Sequence, residues 1–78
     1  LESINYKIFS KIQNIIKIEL SFNRIKAIET KTFFNLNSLR EIYLFGNKLK
    51  VLNKHLIFNL SNLQKIDLSL NSIENIEN

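Results

Sequence analysis

The sequence predicts an α/β solenoid, in which the chain coils repeatedly and lays a short strand on one side of each coil and a loop or short helical turn on the other. Three observations lead there. One phrase returns as KIELSFN at 17–23, EIYLFGN at 41–47 and KIDLSLN at 65–71, each 24 residues after the last. Apolar residues occupy the same positions of every cycle. One polar residue, Asn, recurs inside that apolar series at 23, 47 and 71. Repetition at a fixed period of this size marks stacked supersecondary units, each too small to bury a core alone.

Each cycle opens with an apolar residue: Ile15, Leu39 and Leu63. Ile18, Ile42 and Ile66, then Leu20, Leu44 and Leu68, continue it. In the first cycle Ile18 and Leu20 alternate with Lys17 and Glu19, the period of a strand with one buried face, and 41–44 and 65–68 repeat the pattern. Strands one coil apart are expected to form a parallel sheet, with each buried Leu, Ile or Phe contributing roughly 1.5–3 kcal/mol. Asn23, Asn47 and Asn71 come next. A polar group inside an apolar series is costly unless its hydrogen bonds are met. The amide carries donors and an acceptor, so it can satisfy loose backbone groups where the chain leaves the strand. This structural ladder is set against the alternative that the three Asn bind a ligand. Ile25, Leu49 and Ile73, then Ile28, Leu52 and Ile76, extend the core series. Phe9, Phe33 and Ile57, with Ile12, Leu36 and Leu60, are expected on the outer side, on a short helical or 3₁₀ turn. A helical bundle is the competing fold. The absence of Pro and the spacing of Phe33, Leu36 and Leu39 favour it locally, but it offers no reason for an Asn at every 24th residue.

Leu39-x-x-Ile42-x-Leu44-x-x-Asn47-x-Leu49, followed in the preceding cycle's second half by Ile28, Phe33 and Leu36, resembles the leucine-rich repeat. The 24-residue unit is similar to the family's typical, extracellular-type subfamily. Ile57 stands where that subfamily prefers Phe, and the Pro often found early in the second half is missing. The resemblance covers essentially the whole chain. It implies a horseshoe segment with three short parallel strands on a concave face, non-catalytic recognition of a protein ligand on that face, and a place outside the cell or at its surface.

The chain divides into a partial repeat at 1–14, full repeats at 15–38 and 39–62, and a partial repeat at 63–78. Leu1 matches Ile25 and Asn78 falls at the position of Thr30, so a fragment of a longer array is expected, poorly soluble or marginally folded by itself. Cys is absent, so disulfides cannot reinforce it. No run is long and apolar enough to span a bilayer, and no membrane contact is expected of this segment. The net charge of +4 is too small to imply nucleic acid.

Catalytic chemistry finds little to work with. His55 is the lone His, Gly46 the lone Gly, and neither a metal site nor a phosphate-cradling loop can be assembled from them. No metal or cofactor is expected. Glu19, Glu41 and Asp67 would lie near one another if the strands stack, as exposed carboxylates of repeat proteins often do.

The side chains between the buried strand positions point outward: Lys17, Glu19 and Ser21, then Glu41, Tyr43 and Phe45, then Lys65, Asp67 and Ser69. The resemblance nominates these nine for partner binding. Independently, Tyr43 and Phe45 are aromatics that the core period does not explain, with charges around them, the composition of an interface hot spot. The plain alternative is that both merely suit strand geometry. Arg24 and Lys26 flank Ile25, and Lys48 and Lys50 flank Leu49, as a basic stripe that fits an acidic glycan or protein or serves as a solvated edge. Asn59-Leu60-Ser61 is an N-glycosylation sequon, which a chain rich in Asn also produces by chance. Structural spacer repeats, or a targeting arm of an intracellular or enzyme-linked protein, are the alternative functions.

Overall fold

The computed structural model describes residues 2–12, 14–58 and 60–77. Seven short strands follow one another among them: β1 (Ser3–Ile4), β2 (Lys17–Glu19), β3 (Ala27–Ile28), β4 (Glu41–Tyr43), β5 (Val51–Asn53), β6 (Lys65–Asp67) and β7 (Asn75–Glu77). The helical component is two 3₁₀ turns, Tyr6–Ile8 and Lys54–Ile57, and no α-helix occurs among the described residues. The helical bundle is therefore not the fold.

Strands β2, β4 and β6 form one parallel sheet in that order. Lys17 pairs with Glu41 and Glu41 with Lys65; Ile18, Ile42 and Ile66 align in the same way, as do Glu19, Tyr43 and Asp67. The spatial period is thus the sequence period of 24 residues, one coil to each strand. Two further parallel pairs, β1–β3 and β5–β7, run along the next side of the coils. They arise because Ala27–Ile28 and Val51–Asn53 are also extended and lie one coil from their partners. This second ladder is interrupted between β3 and β5, where Ile28, Val51, Leu52 and Leu56 line a cleft.

The core is the inside of the stack. Ile18, Ile25, Phe33, Leu36, Leu39, Ile42, Leu44, Leu49 and Leu60 are buried, with Ile4 and Leu56 beside them. Ile15, Leu20, Leu63, Ile66, Leu68 and Ile73 occupy their expected columns but are only partly covered, because the outer coils have a neighbour on one side alone. Ile12 departs from its column and is 52% exposed, whereas Leu36 and Leu60 are buried. Ile57 is half-buried, and Leu56 at 6% exposure fills the space instead, since the Lys54–Ile57 turn rotates that side chain inward. Its equivalent, Thr32, is 2% exposed and donates its hydroxyl to the Glu29 carbonyl at 2.6 Å and the Ile4 carbonyl at 3.2 Å. A polar side chain is tolerated there because both bonds are made within the stack.

The Asn column lies where the chain turns off the sheet. The Asn47 carboxamide oxygen accepts from the Asn23 and Ile25 amides at 2.9 and 3.0 Å, and its nitrogen donates to the Leu20 and Leu44 carbonyls at 3.0 and 2.9 Å. One side chain thereby ties its own coil to the coil before it. Asn71 repeats the arrangement, accepting from the Leu49 amide and donating to the Leu44 and Leu68 carbonyls. Asn23 donates to the Leu20 and Ser21 carbonyls of its own coil.

Candidate functional site

Alternation along β2, β4 and β6 sends Ile18, Ile42 and Ile66 inward and their neighbours to the opposite face. Three rows result. Lys17, Glu41 and Lys65 form the first, with alternating sign; Glu19, Tyr43 and Asp67 form the second. Ser21, Phe45 and Ser69 form the third, just past the strands, held in step by bonds from the Phe22 amide to the Phe45 carbonyl and from the Gly46 amide to the Ser69 carbonyl.

Tyr43 is the hub of this face. The Lys17 and Lys65 ammonium groups lie 5.2 and 5.4 Å from its ring centroid, and its hydroxyl donates to Glu41. Each cation–π contact is worth about 0.5–1 kcal/mol at such a site. Tyr43 and Phe45 are half-buried rather than standing free in solvent, because the lysines bracket one and Phe22 packs on the other. The carboxylates that the sequence placed near one another, Glu19, Glu41 and Asp67, do gather around Tyr43, interleaved with other groups rather than paired. Glu41 sits between lysines, and Tyr43 stands between Glu19 and Asp67.

The local electrostatics follow from short-range donors. Asp67 is held below the ordinary carboxylate range by the Ser69 hydroxyl, which donates to it at 2.6 Å, and then by the Ser69 amide at 3.0 Å. Glu19 is lowered by the Ser21 hydroxyl at its side and then by the Ser21 amide, which donates at 2.9 Å. The Ser21 hydroxyl oxygen is buried beside that carboxylate short of full hydrogen-bond geometry, so it acts by proximity while the amide makes the bond. Tyr43 is raised above 10.0, first by its bond to Glu41, which the phenolate would lose, and then by partial burial. A group whose folded value is raised contributes stability that is complete below its unfolded value and is lost as pH rises through the folded one. In a Tyr6→Phe chain, where Tyr43 is the one remaining phenol, absorbance titration is expected to give a midpoint above 10.0, and Glu41→Gln should move it back down. A midpoint at or below 10.0 in the parent would show that Glu41 does not hold the proton.

The sequence reading missed a second feature, at the rim where the strands end. Phe22, Gly46 and Leu70 occupy one column immediately before the Asn column, and all three are left-handed, with φ of 59°, 72° and 56°. Phe22 is 67% exposed and Leu70 is 73% exposed. The Phe22 ring meets Phe45 edge-on at 5.0 Å between centroids and lies across Gly46, where a Cβ would come within 2.3 Å of it. Glycine therefore serves two ends there, adopting the left-handed turn without strain and leaving room for the ring. The signal was present as the residue preceding each repeated Asn, but a variable position between a strand and a turn has no periodic pattern to expose it.

Arg24, Lys26, Lys48 and Lys50 are exposed beside this rim, and Lys26 meets Glu2 at 3.7 Å. His55 is exposed on the outer side, edge-on to Phe58 at 5.8 Å. No cluster able to hold a metal ion and no helix long and apolar enough to cross a membrane occurs among the described residues. Asn59 lies outside the described residues. A cleft of about 650 Å³ is remote from the face, between the outer segments of the first two coils beside Phe9, Thr32 and Phe34. It contains none of the nine face residues.

Comparison with curated proteins and with solved structures found no match. The family model described as "Leucine rich repeat" matches residues 1–49. Domains of that family are generally protein–protein interaction modules and typically non-catalytic. The match takes in β1 to β4, two members of the Asn column and the first full coil, so the chain belongs to the leucine-rich-repeat family.

Proposed function

We propose that the β2–β4–β6 face is the concave face of a horseshoe segment and binds a protein ligand, in a receptor, adhesion or matrix protein outside the cell or at its surface. The observation that carries this is the centre of the face. Tyr43 and Phe45 sit side by side on the middle coil, half-buried and uncharged, inside a ring of Lys17, Glu19, Lys65 and Asp67. Aromatic anchors supply contact area at low entropic cost, and surrounding charges select the partner more than they tighten it. The 24-residue subfamily pattern and the Asn59 sequon support the extracellular assignment. A photo-crosslinking residue placed at Glu41 in the full chain, expressed in its own cells, should yield a discrete protein adduct, and one at Lys31 on the outer side should not. Tyr43→Ala with Phe45→Ala should lower the yield at least about tenfold without loss of the fold. Equal yield from the double variant, or an adduct from Lys31 alone, would refute the assignment.

A spacer role is favoured by one specific observation: Lys17, Lys65 and Glu41 are already engaged with Tyr43. Deleting 39–62 separates the two, since a spacer would lose reach and keep its partner affinity.

A further inference from the structure

We infer that the rim formed by Phe22, Phe45 and Leu70, with Arg24 and Lys48 beside it, docks an acidic protein segment that carries a bulky apolar side chain. This deepens the reading of the neighbouring face as protein-binding and rests on it.

Three independent observations converge on the rim. The first is strain. A left-handed backbone is costly for an L-residue, and Phe and Leu have no local side-chain hydrogen bond to offset it as Asn or Asp would. Gly46 shows that this column accepts the cheaper residue, yet Phe22 and Leu70 hold φ of 59° and 56° in the coils on either side. The second is exposure. Strain can be repaid by burial, but Phe22 is 67% and Leu70 73% exposed, so the stack itself gains little from them. Large apolar side chains held in a strained conformation and shown to solvent are placed for something outside the chain. The third is charge. Two residues beyond Phe22 and Gly46 come Arg24 and Lys48, both exposed, and among the described residues neither makes an ion pair. The corresponding Ser72 is neutral, so the cations follow Phe22 and Gly46 along the chain and are missing after Leu70.

These features fix the chemistry of the occupant. The ring pair and Leu70 form an apolar ledge that accepts a side chain such as Leu, Phe or Trp. The guanidinium and ammonium groups next to it accept carboxylates, Arg24 in the bidentate manner. A glycan would satisfy the cations and leave the ledge uncovered. Phe45 belongs both to the ledge and to the strand face, so one bound segment can cross from the rim onto Tyr43.

The test uses the full chain and a displayed library of linear peptides. Selected peptides should share an apolar residue within a few positions of Asp or Glu. Phe22→Gly with Leu70→Gly should weaken the best of them at least about tenfold. Glycine is the residue this backbone prefers, so that variant removes the ledge without threatening the fold. Arg24→Ser with Lys48→Ser should weaken binding as well and flatten its salt dependence. A consensus without acidic residues, no enrichment at all, or affinity unchanged in the glycine variant overturns the inference. So does binding of a heparin oligosaccharide or of phosphatidylserine vesicles that needs Arg24 and Lys48 but not Phe22 and Leu70. Peptides lost with Tyr43→Ala yet indifferent to Phe22 and Leu70 would overturn the rim while leaving the strand face as the binding surface.

Discussion

Asn47→Ala is expected to be among the most damaging single changes in the chain, lowering unfolding free energy by about 4 kcal/mol. The loss follows from which groups are left without a partner. The Leu20 and Leu44 carbonyls also accept from the Asn23 and Asn71 side chains, so each keeps a bond when Asn47 is shortened. The Asn23 and Ile25 amides have no such reserve, since both donate to the Asn47 oxygen. Ile25 is fully buried, so water cannot take over. An orphaned buried donor costs roughly 1–3 kcal/mol, which Ile25 incurs in full and the half-buried Asn23 amide in smaller part. Asn71→Ala strands one amide, that of Leu49, with the half-buried Leu68 carbonyl, and should cost about half as much. Asn47→Asp keeps the acceptor but turns its second oxygen toward two carbonyls, so it too should destabilise, less so at acid pH where that oxygen is protonated. Urea denaturation followed by circular dichroism reads all three. Equal midpoints for Asn47→Ala and Asn71→Ala would mean that the amides are not what the column serves.

Phe33→Ala is expected to cost about 3–5 kcal/mol, the range for removing a buried aromatic ring. Phe33 is fully buried on the outer side of the first full coil and tilts against Phe9 with centroids 6.0 Å apart. Its loss leaves a void between two coils, and a stack whose stability comes from neighbour interfaces has no other source to draw on. Small single domains hold only about 5–15 kcal/mol in total, so a large part of the protein should be unfolded near physiological temperature. Ile57 occupies the same column but is half-buried, with Leu56 doing the filling, so Ile57→Ala should be markedly milder. Thermal melts of the two variants decide this. If they lose the same amount, burial within the column does not govern the cost.

How much of this could be read beforehand depends on whether a residue answers to the repeat or to its own coil. Ile18, Ile42 and Ile66, or the three Asn, are dictated by a contact that recurs once per coil, so spacing alone reveals them. The ladder β1–β3 and its broken continuation β5–β7 were missed because Ala27–Ile28 and Val51–Asn53 lack the alternation that betrays a strand. Leu56 was missed because its column holds the polar Thr32 in the coil before, so no shared residue class marks the position as inward. Thr32 reads as a surface residue until its two carbonyl partners are known. On the candidate site, the nine face positions could be nominated from alternation, but the role of Tyr43 as a bracket between two lysines required the register. The Phe22–Gly46–Leu70 column required backbone angles, which no pattern of residue types encodes.

The register along β2, β4 and β6 has one more consequence, for strand exchange. Pairing β2 of one copy with β6 of another in this register would set Lys17 against Lys65 and Glu19 against Asp67, as follows from Lys17–Glu41–Lys65 and Glu19–Tyr43–Asp67. Like charges directly opposite one another on neighbouring strands repel. Strands β2 and β6 are therefore poor partners for each other, and any exchange between copies that brought the two side by side would meet like charges in two rows.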